Sequence, residues 1–282
     1  MINTSLVASL VAFISLVTSN PVVLALPNYG VVEASTATCN RTILLAAADA
    51  YVTGQTAGKL DALQAIANDK WVYMENNKEV DPGKGVLVKP IKIDHRRTII
   101  DMTVCATYTE LISASGPYVI GTQIRHSTEG KVNLVDSVAT TTGSWLFNAT
   151  RTLSYVVKET WDPIPEDKRD KREWLQAVGD AWLDVFSNST AASLIPYGDP
   201  CHRIEGSVSA VCKSGGNVKI NSNQLPNINR RYVIDESVGS VHILCLWQHM
   251  MMAADSHEFR LENGKIRYVH TMTECGGRTC RL

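Results

Sequence analysis

At 282 residues, with 45% hydrophobic and 20% charged side chains, the chain has an ordinary globular composition and is long enough for two domains of roughly 120 residues. That composition excludes the disordered and fibrous classes. A net charge of −1 excludes a broad basic surface for nucleic acid or an anionic membrane.

In chain order, residues 1–25 read as a signal peptide. Leu6 to Val17 is an apolar run broken only by Ser, a polar break ends at Pro21, and Val23-Leu24-Ala25 offers a cleavage site. The run is too short for the roughly 20 residues of a membrane span, and no later segment supplies one. Three acceptor sequons follow, at Asn40, Asn148 and Asn188. The protein is therefore expected in the secretory-pathway lumen or outside the cell, as a glycoprotein without a membrane anchor. None of the seven cysteines has zinc-ligand spacing, so disulfides are the default. The simplest assignment joins Cys39 to Cys105 and makes two bridges among Cys201, Cys212, Cys275 and Cys280. Cys245 is left over as a buried thiol.

The predicted elements divide into two similar series. Helices are expected over 42–56 and 171–186, each with an apolar stripe. Strands are expected near 71–75, 99–112, 118–125 and 132–140 in the first half. In the second they fall near 202–209, 231–235, 241–247, 257–261 and 266–273, with Asn263-Gly264 a preferred hairpin turn. The duplication is also visible in the residues. Arg96-Arg97-Thr98-Ile99-Ile100-Asp101 recurs as Arg230-Arg231-Tyr232-Val233-Ile234-Asp235, and Gly130-Lys131-Val132 as Gly264-Lys265-Ile266. Asp49-Ala50-Tyr51 matches Asp180-Ala181-Trp182. The expected organisation is a first α+β unit over 35–160, a Pro-containing linker over 161–170 and a second unit over 171–282. The expected fold class is α+β, a tandem repeat of two cones, each a curved antiparallel sheet packed on helices.

This plan resembles the SnoaL-like, or nuclear-transport-factor-2-like, α+β cone. The runs Glu75-Asn76, Lys84-Gly85-Val86-Leu87, Cys105-Ala106-Thr107-Tyr108-Thr109-Glu110, Gly198-Asp199-Pro200-Cys201 and Asp255-Ser256-His257-Glu258-Phe259-Arg260 resemble a two-cone family of secreted fungal proteins of uncharacterised domain type. Within that resemblance the chain is similar to hetero-Diels–Alderases of tropolone–sesquiterpenoid biosynthesis. The implied activity is a cofactor-free pericyclase reaction that joins a tropolone o-quinone methide to a sesquiterpene such as humulene. The run Leu246-Trp247-Gln248-His249-Met250-Met251-Met252 departs from the family's Gly- and Pro-rich loop, as an apolar pocket mouth would.

Aligning the two Gly-Lys turns superimposes Asp136 on His270. Period-two alternation puts Ile266, Tyr268, His270 and Met272 on one face, and Val132, Leu134, Asp136 and Val138 on its counterpart. A titratable group among apolar neighbours is where a perturbed pKa is expected, or equally where a core residue is simply hydrogen-bonded. His270, Asp136, His95 and Tyr108 are the catalytic candidates. Trp247, Met251, Tyr268, His257, Tyr73 and Glu110 are the substrate-binding candidates. No phosphate loop, nucleophile elbow or His-Glu-x-x-His motif is present, so no cofactor and no metal is expected. The expected partners are hydrophobic small molecules, not nucleic acid. The rival functions are a secreted hydrophobic small-molecule carrier and an acid/base dehydratase or isomerase; the sequence leaves the oligomeric state open.

Overall fold

The computed structural model describes residues 39–212 and 223–280; the expected signal peptide lies outside them. Two six-stranded sheets, each carrying a helix on one face, pack against each other through their opposite faces. The first comprises β1 (Ala67–Glu75), β2 (Lys78–Glu79), β3 (His95–Asp101), β4 (Ala106–Ser113), β5 (Tyr118–His126) and β6 (Val132–Thr140), in the spatial order β2-β1-β6-β5-β4-β3. The second comprises β7 (Tyr197–Glu205), β8 (Val208–Val211), β9 (Asn227–Asp235), β10 (Ser240–Trp247), β11 (Ala253–Glu262) and β12 (Lys265–Glu274), in the equivalent order β8-β7-β12-β11-β10-β9. The duplication is thus present strand for strand.

The cone is not. Neither sheet is closed or strongly curled, and neither is purely antiparallel, because β1 runs parallel to β6 and β7 parallel to β12. Alternation of side chains carries no information on strand direction, so the parallel pair was invisible in sequence. The open shape follows from burial on both faces. Every residue of β4 and of β10 is buried. A curled sheet would leave its convex side to solvent, whereas here a helix covers one side and the other sheet covers the second.

Helix α1 (Arg41–Ala57) lays Ala47 and Tyr51 on Leu111, Ile120, Ile124 and Val135. The side chain of Asn40 caps its start by accepting from the Ile43 amide, and Gly58 ends it with φ 65°. Any Cβ at Gly58 would also sit 2.8 Å from the Pro90 ring. A short helix α2 (Asp61–Gln64) follows, and α3 (Ala149–Val156) begins the connection between the repeats. Helix α4 (Arg172–Asp184) is the counterpart of α1, with Val178 and Trp182 on Ile243, Phe259 and Val269. Between the sheets lie Ile112, Val119 and Val138 from the first and Ile204, Leu244, Ala254 and Met272 from the second.

Register shifts refine the expected faces. Between Arg125 and His126, and again between Arg260 and Leu261, the ladder skips one residue of the partner strand, Asn133 and Arg267 respectively. Ile266 therefore joins the helix-side core, while Tyr268, His270 and Met272 face the other sheet. Val132 likewise joins the core under α1.

The described disulfides are Cys39–Cys105, Cys201–Cys212 and Cys275–Cys280, with Cys245 free and buried. They are consistent with an oxidising compartment. No helix among the described residues is long and apolar enough to cross a membrane.

Candidate functional site

The two Arg-Arg strands, β3 and β9, meet where the sheets pack, and the repeats make their contacts there in matched pairs. Tyr108 on β4 and its counterpart His242 on β10 stack with ring centroids 3.4 Å apart. On one side of this stack, Arg231 donates to Asp136 at 2.6 Å. On the other, the counterpart pair is Arg97 and His270, 3.3 Å apart. The superposition of Asp136 and His270 in sequence is therefore real, and both face the partner sheet.

The two halves have diverged. Around this ion pair, Gln123 stands opposite Asp136 and Leu244 opposite Arg231 in the ladders. At the matching places around Arg97 stand Glu258 and Glu110. Arg97 contacts both carboxylates, reaching Glu110 at 3.1 Å. His270 bonds Glu110 through Nδ1 at 2.9 Å and Glu159 through Nε2 at 2.8 Å. His95, on the sheet edge, comes within 3.8 Å of the other Glu110 oxygen. Trp161 covers the cluster, with its ring 3.6 Å from the Arg97 guanidinium, its indole N–H donating to Glu159 at 3.0 Å, and Tyr268 stacked alongside.

Electrostatics separate the two histidines. Burial works against a charge on His270, but Glu110 and Glu159 outweigh it and lift its pKa to about 10. Burial pushes His95 below the ordinary imidazole value; Glu110 opposes this, and the positive Arg97 and His270 add to it. Burial resists ionisation of Glu110, yet Arg97 and His270 hold it well below the usual carboxylate range. Glu258 moves upward through burial and the nearby Glu110, against Arg97. Two buried polar atoms here lack a hydrogen-bond partner among the described residues: His95 Nε2 and Arg97 Nε. In a native core such atoms are rare, and their convergence marks a place where a ligand's polar groups would find partners.

Of the catalytic candidates, His270, His95 and Tyr108 thus meet in one cluster, joined by the binding candidates Glu110 and Tyr268. Asp136 lies across the pseudo-symmetric interface in its own ion pair. Tyr73 is elsewhere, under α1, where its hydroxyl donates to Glu75 at 2.8 Å. His257 and Trp247 occupy the helix side of the second sheet. His257 bonds Asp255 at 2.7 Å, and Trp247 donates to Gln224 at 2.8 Å and packs with Met250 and the half-buried Met251. The three sequon asparagines all sit at helix starts: Asn40 before α1, Asn148 before α3 and Asn188 before the 3-10 turn at Ser189–Leu194.

Sequence reasoning missed Arg97, Glu258, Glu159 and Trp161. The first two carried a signal, since Arg97 lies in the duplicated motif and Glu258 is the next residue after a chosen histidine. Glu159 and Trp161 sit in and beside the stretch read as linker, and nothing local distinguished them. A separate cavity of about 270 Å³ opens where the repeats adjoin, lined by Glu75, Lys89, Tyr118, Ser144, Glu274 and Arg278 among others. The Arg278 guanidinium also holds the Met251 carbonyl at 3.0 Å.

Residues 168–273, which make up most of the second repeat, match a domain of unknown function, DUF8021. No curated protein matches the chain. Among solved structures, an NTF2-like protein of Bacteroides fragilis aligns with 10% identity over 78% of this chain and 94% of that one, at a TM-score of 0.21. A likeness at that level carries no argument about fold or activity.

Proposed function

We propose that the chain is an acid/base enzyme acting on a small organic molecule, with its centre between the two repeats beneath Trp161. The observation that carries this reading is the pair of histidines sharing Glu110, whose environments push their pKa values in opposite directions. Such separation assigns roles: His270 stays protonated and serves as acid, while His95 stays neutral and serves as base. Arg97 would stabilise developing negative charge on a substrate oxygen. Trp161 covers Arg97, so substrate entry requires that the segment bearing Trp161 move aside.

The narrower reading, supported by the sequence resemblance, is a secretory-pathway, cofactor-free hetero-Diels–Alderase. A protonated His270 suits the step that such chemistry needs: donation of a proton to a benzylic hydroxyl while neutral His95 takes the proton of the ring hydroxyl, so that water departs and a neutral o-quinone methide remains. The cycloaddition itself then needs only two apolar partners held in register.

The test is incubation of the purified protein with a hydroxymethyl tropolone, with and without humulene, and product analysis by mass spectrometry. Adduct formation above buffer that is lost in His270→Ala supports the narrow reading. Dehydration without adduct supports the acid/base reading alone. Binding of the tropolone with no turnover identifies a carrier and rejects both.

A further inference from the structure

The second repeat holds a polar group that its fold does not require. Cys245 on β10 and Asp255 and His257 on β11 lie on the helix side of the sheet, where the matching ladder positions of the first repeat are Leu111, Ile120 and Thr122. Leu111 and Ile120 are ordinary core side chains under α1. An apolar pair therefore satisfies this architecture in the first copy, where the second has a thiol and a carboxylate beside an imidazole, all buried. Burying such groups is unfavourable unless each is fully paired.

The pairing is incomplete. Asp255 Oδ2 accepts from His257 Nε2 at 2.7 Å and lies 3.9 Å from the Cys245 sulfur, and Asp255 Oδ1 accepts from Thr273 at 2.7 Å. His257 Nδ1 is buried with no hydrogen-bond partner among the described residues. A sulfur at 3.9 Å is a weak donor, so the thiol is the most loosely held member of the group.

We propose that Cys245, Asp255 and His257 bind one zinc ion inside the second repeat. The three donor atoms already lie within 4.8 Å of one another. Sulfur, nitrogen and carboxylate oxygen are the donors zinc takes, and a tetrahedral centre places its N and O donors about 3.3 Å apart. Opening the His257–Asp255 contact by about 0.6 Å through a small ring rotation would meet that spacing. On binding, Cys245 loses its proton to solvent, and His257 coordinates through Nε2 as a neutral imidazole with its proton on Nδ1. Thiolate and carboxylate together cancel the charge of the ion, so the buried site becomes neutral. Thr273 holds the second carboxylate oxygen and orients the ligand. The fourth position is open to water.

The other buried triad, Glu110, Glu258 and His270, is of similar span. There the Arg97 guanidinium already touches all three side chains and takes the place of an ion.

The test uses the full chain from a eukaryotic secretory host, stripped with chelator and titrated with Zn²⁺ by calorimetry, and with Co²⁺ by absorption. One equivalent per chain is expected, with a thiolate-to-cobalt charge-transfer band and tetrahedral d–d bands. Cys245→Ala and His257→Ala each lose stoichiometric binding, and Thr273→Val weakens it about tenfold. His202→Ala, on β7, leaves it unchanged. The proposal is overturned if the folded wild-type chain takes up neither metal, if the cobalt spectrum lacks the thiolate band, or if Cys245→Ala binds as tightly as wild type. Because the spectrum is read on the wild-type chain, a variant that fails to fold does not remove the test.

Discussion

Asp101 and Asp235 each accept a backbone hydrogen bond from the strand that bears the other. Asp101 takes the Ile234 amide at 2.8 Å, and Asp235 takes the Ile100 amide at 2.9 Å. They close the two Arg-Arg motifs, so the exchange is the isologous contact of a two-fold dimer formed within one chain. Asp101 carries more besides: the Thr103 and Val104 amides and a two-pronged Arg172 at 2.8 Å through both nitrogens. Asp101→Ala leaves Arg172 without its partner and should cost about 3–5 kcal/mol. Asp235→Ala, with fewer charged partners, should cost less. Denaturant midpoints followed by tryptophan fluorescence rank the two.

The ion cluster makes stability depend on pH. His270 has a folded pKa of about 10 against 6.5 for the free side chain, so its contribution is complete below about pH 6.5 and is lost as pH rises through about 10. Glu110 runs the other way. Its folded pKa is depressed, so its contribution is present above the unfolded carboxylate value and is lost as pH falls through the folded one. Urea midpoints should fall steadily between pH 7 and 10, and His270→Ala should flatten that slope. An equally steep slope in the variant would show that the cation is elsewhere.

Trp161 screens Arg97. Trp161→Ala should cost about 1–2 kcal/mol from the lost cation–π contact and covering surface. It should also make Arg97 reactive towards phenylglyoxal, located by peptide mapping. Unchanged protection would mean that the cluster is closed by something other than the indole.

The disulfides should differ in weight. Cys39–Cys105 closes a separation of 66 residues and Cys275–Cys280 one of 5. Loop-closure entropy gives about 4 kcal/mol for the first and about 2 for the second. Paired Cys-to-Ser variants, compared by thermal unfolding, should show the larger loss for the first. That bridge also fixes Cys105 at φ 51° at the entry to β4, and through it the strand that bears Tyr108 and Glu110.

The helices, most strands and the Cys39–Cys105 bridge were legible because each rests on local pattern or simple elimination; the pairing of Cys201 with Cys212 and of Cys275 with Cys280 came from the structure. The expected strand over 99–112 was one element too few: the turn between Asp101 and Ala106 divides it into β3 and β4. Continuous apolar and β-branched residues on both sides hid that turn. Asn76 and Asn77 form the turn between β1 and β2, and both adopt positive φ. Nothing local shows that Asn77 reaches the other repeat, accepting from Arg231 at 2.6 Å and donating to the Cys245 carbonyl at 3.1 Å.

The sequence by itself determined that the chain is duplicated, that the copies diverge at Asp136 and His270, and which half carries most of the cysteines. These follow from self-similarity and period-two alternation, which need no knowledge of neighbours. Tertiary structure alone decided that each sheet is open and mixed, and that the face bearing His270 meets the other sheet. It also decided that Glu110, 160 residues away, is that histidine's partner. Alternation says that two faces exist without saying what covers each. Only the packing of one repeat on the other desolvates the Arg97 cluster, brings its carboxylates and imidazoles together, and drives the pKa values of its two histidines apart.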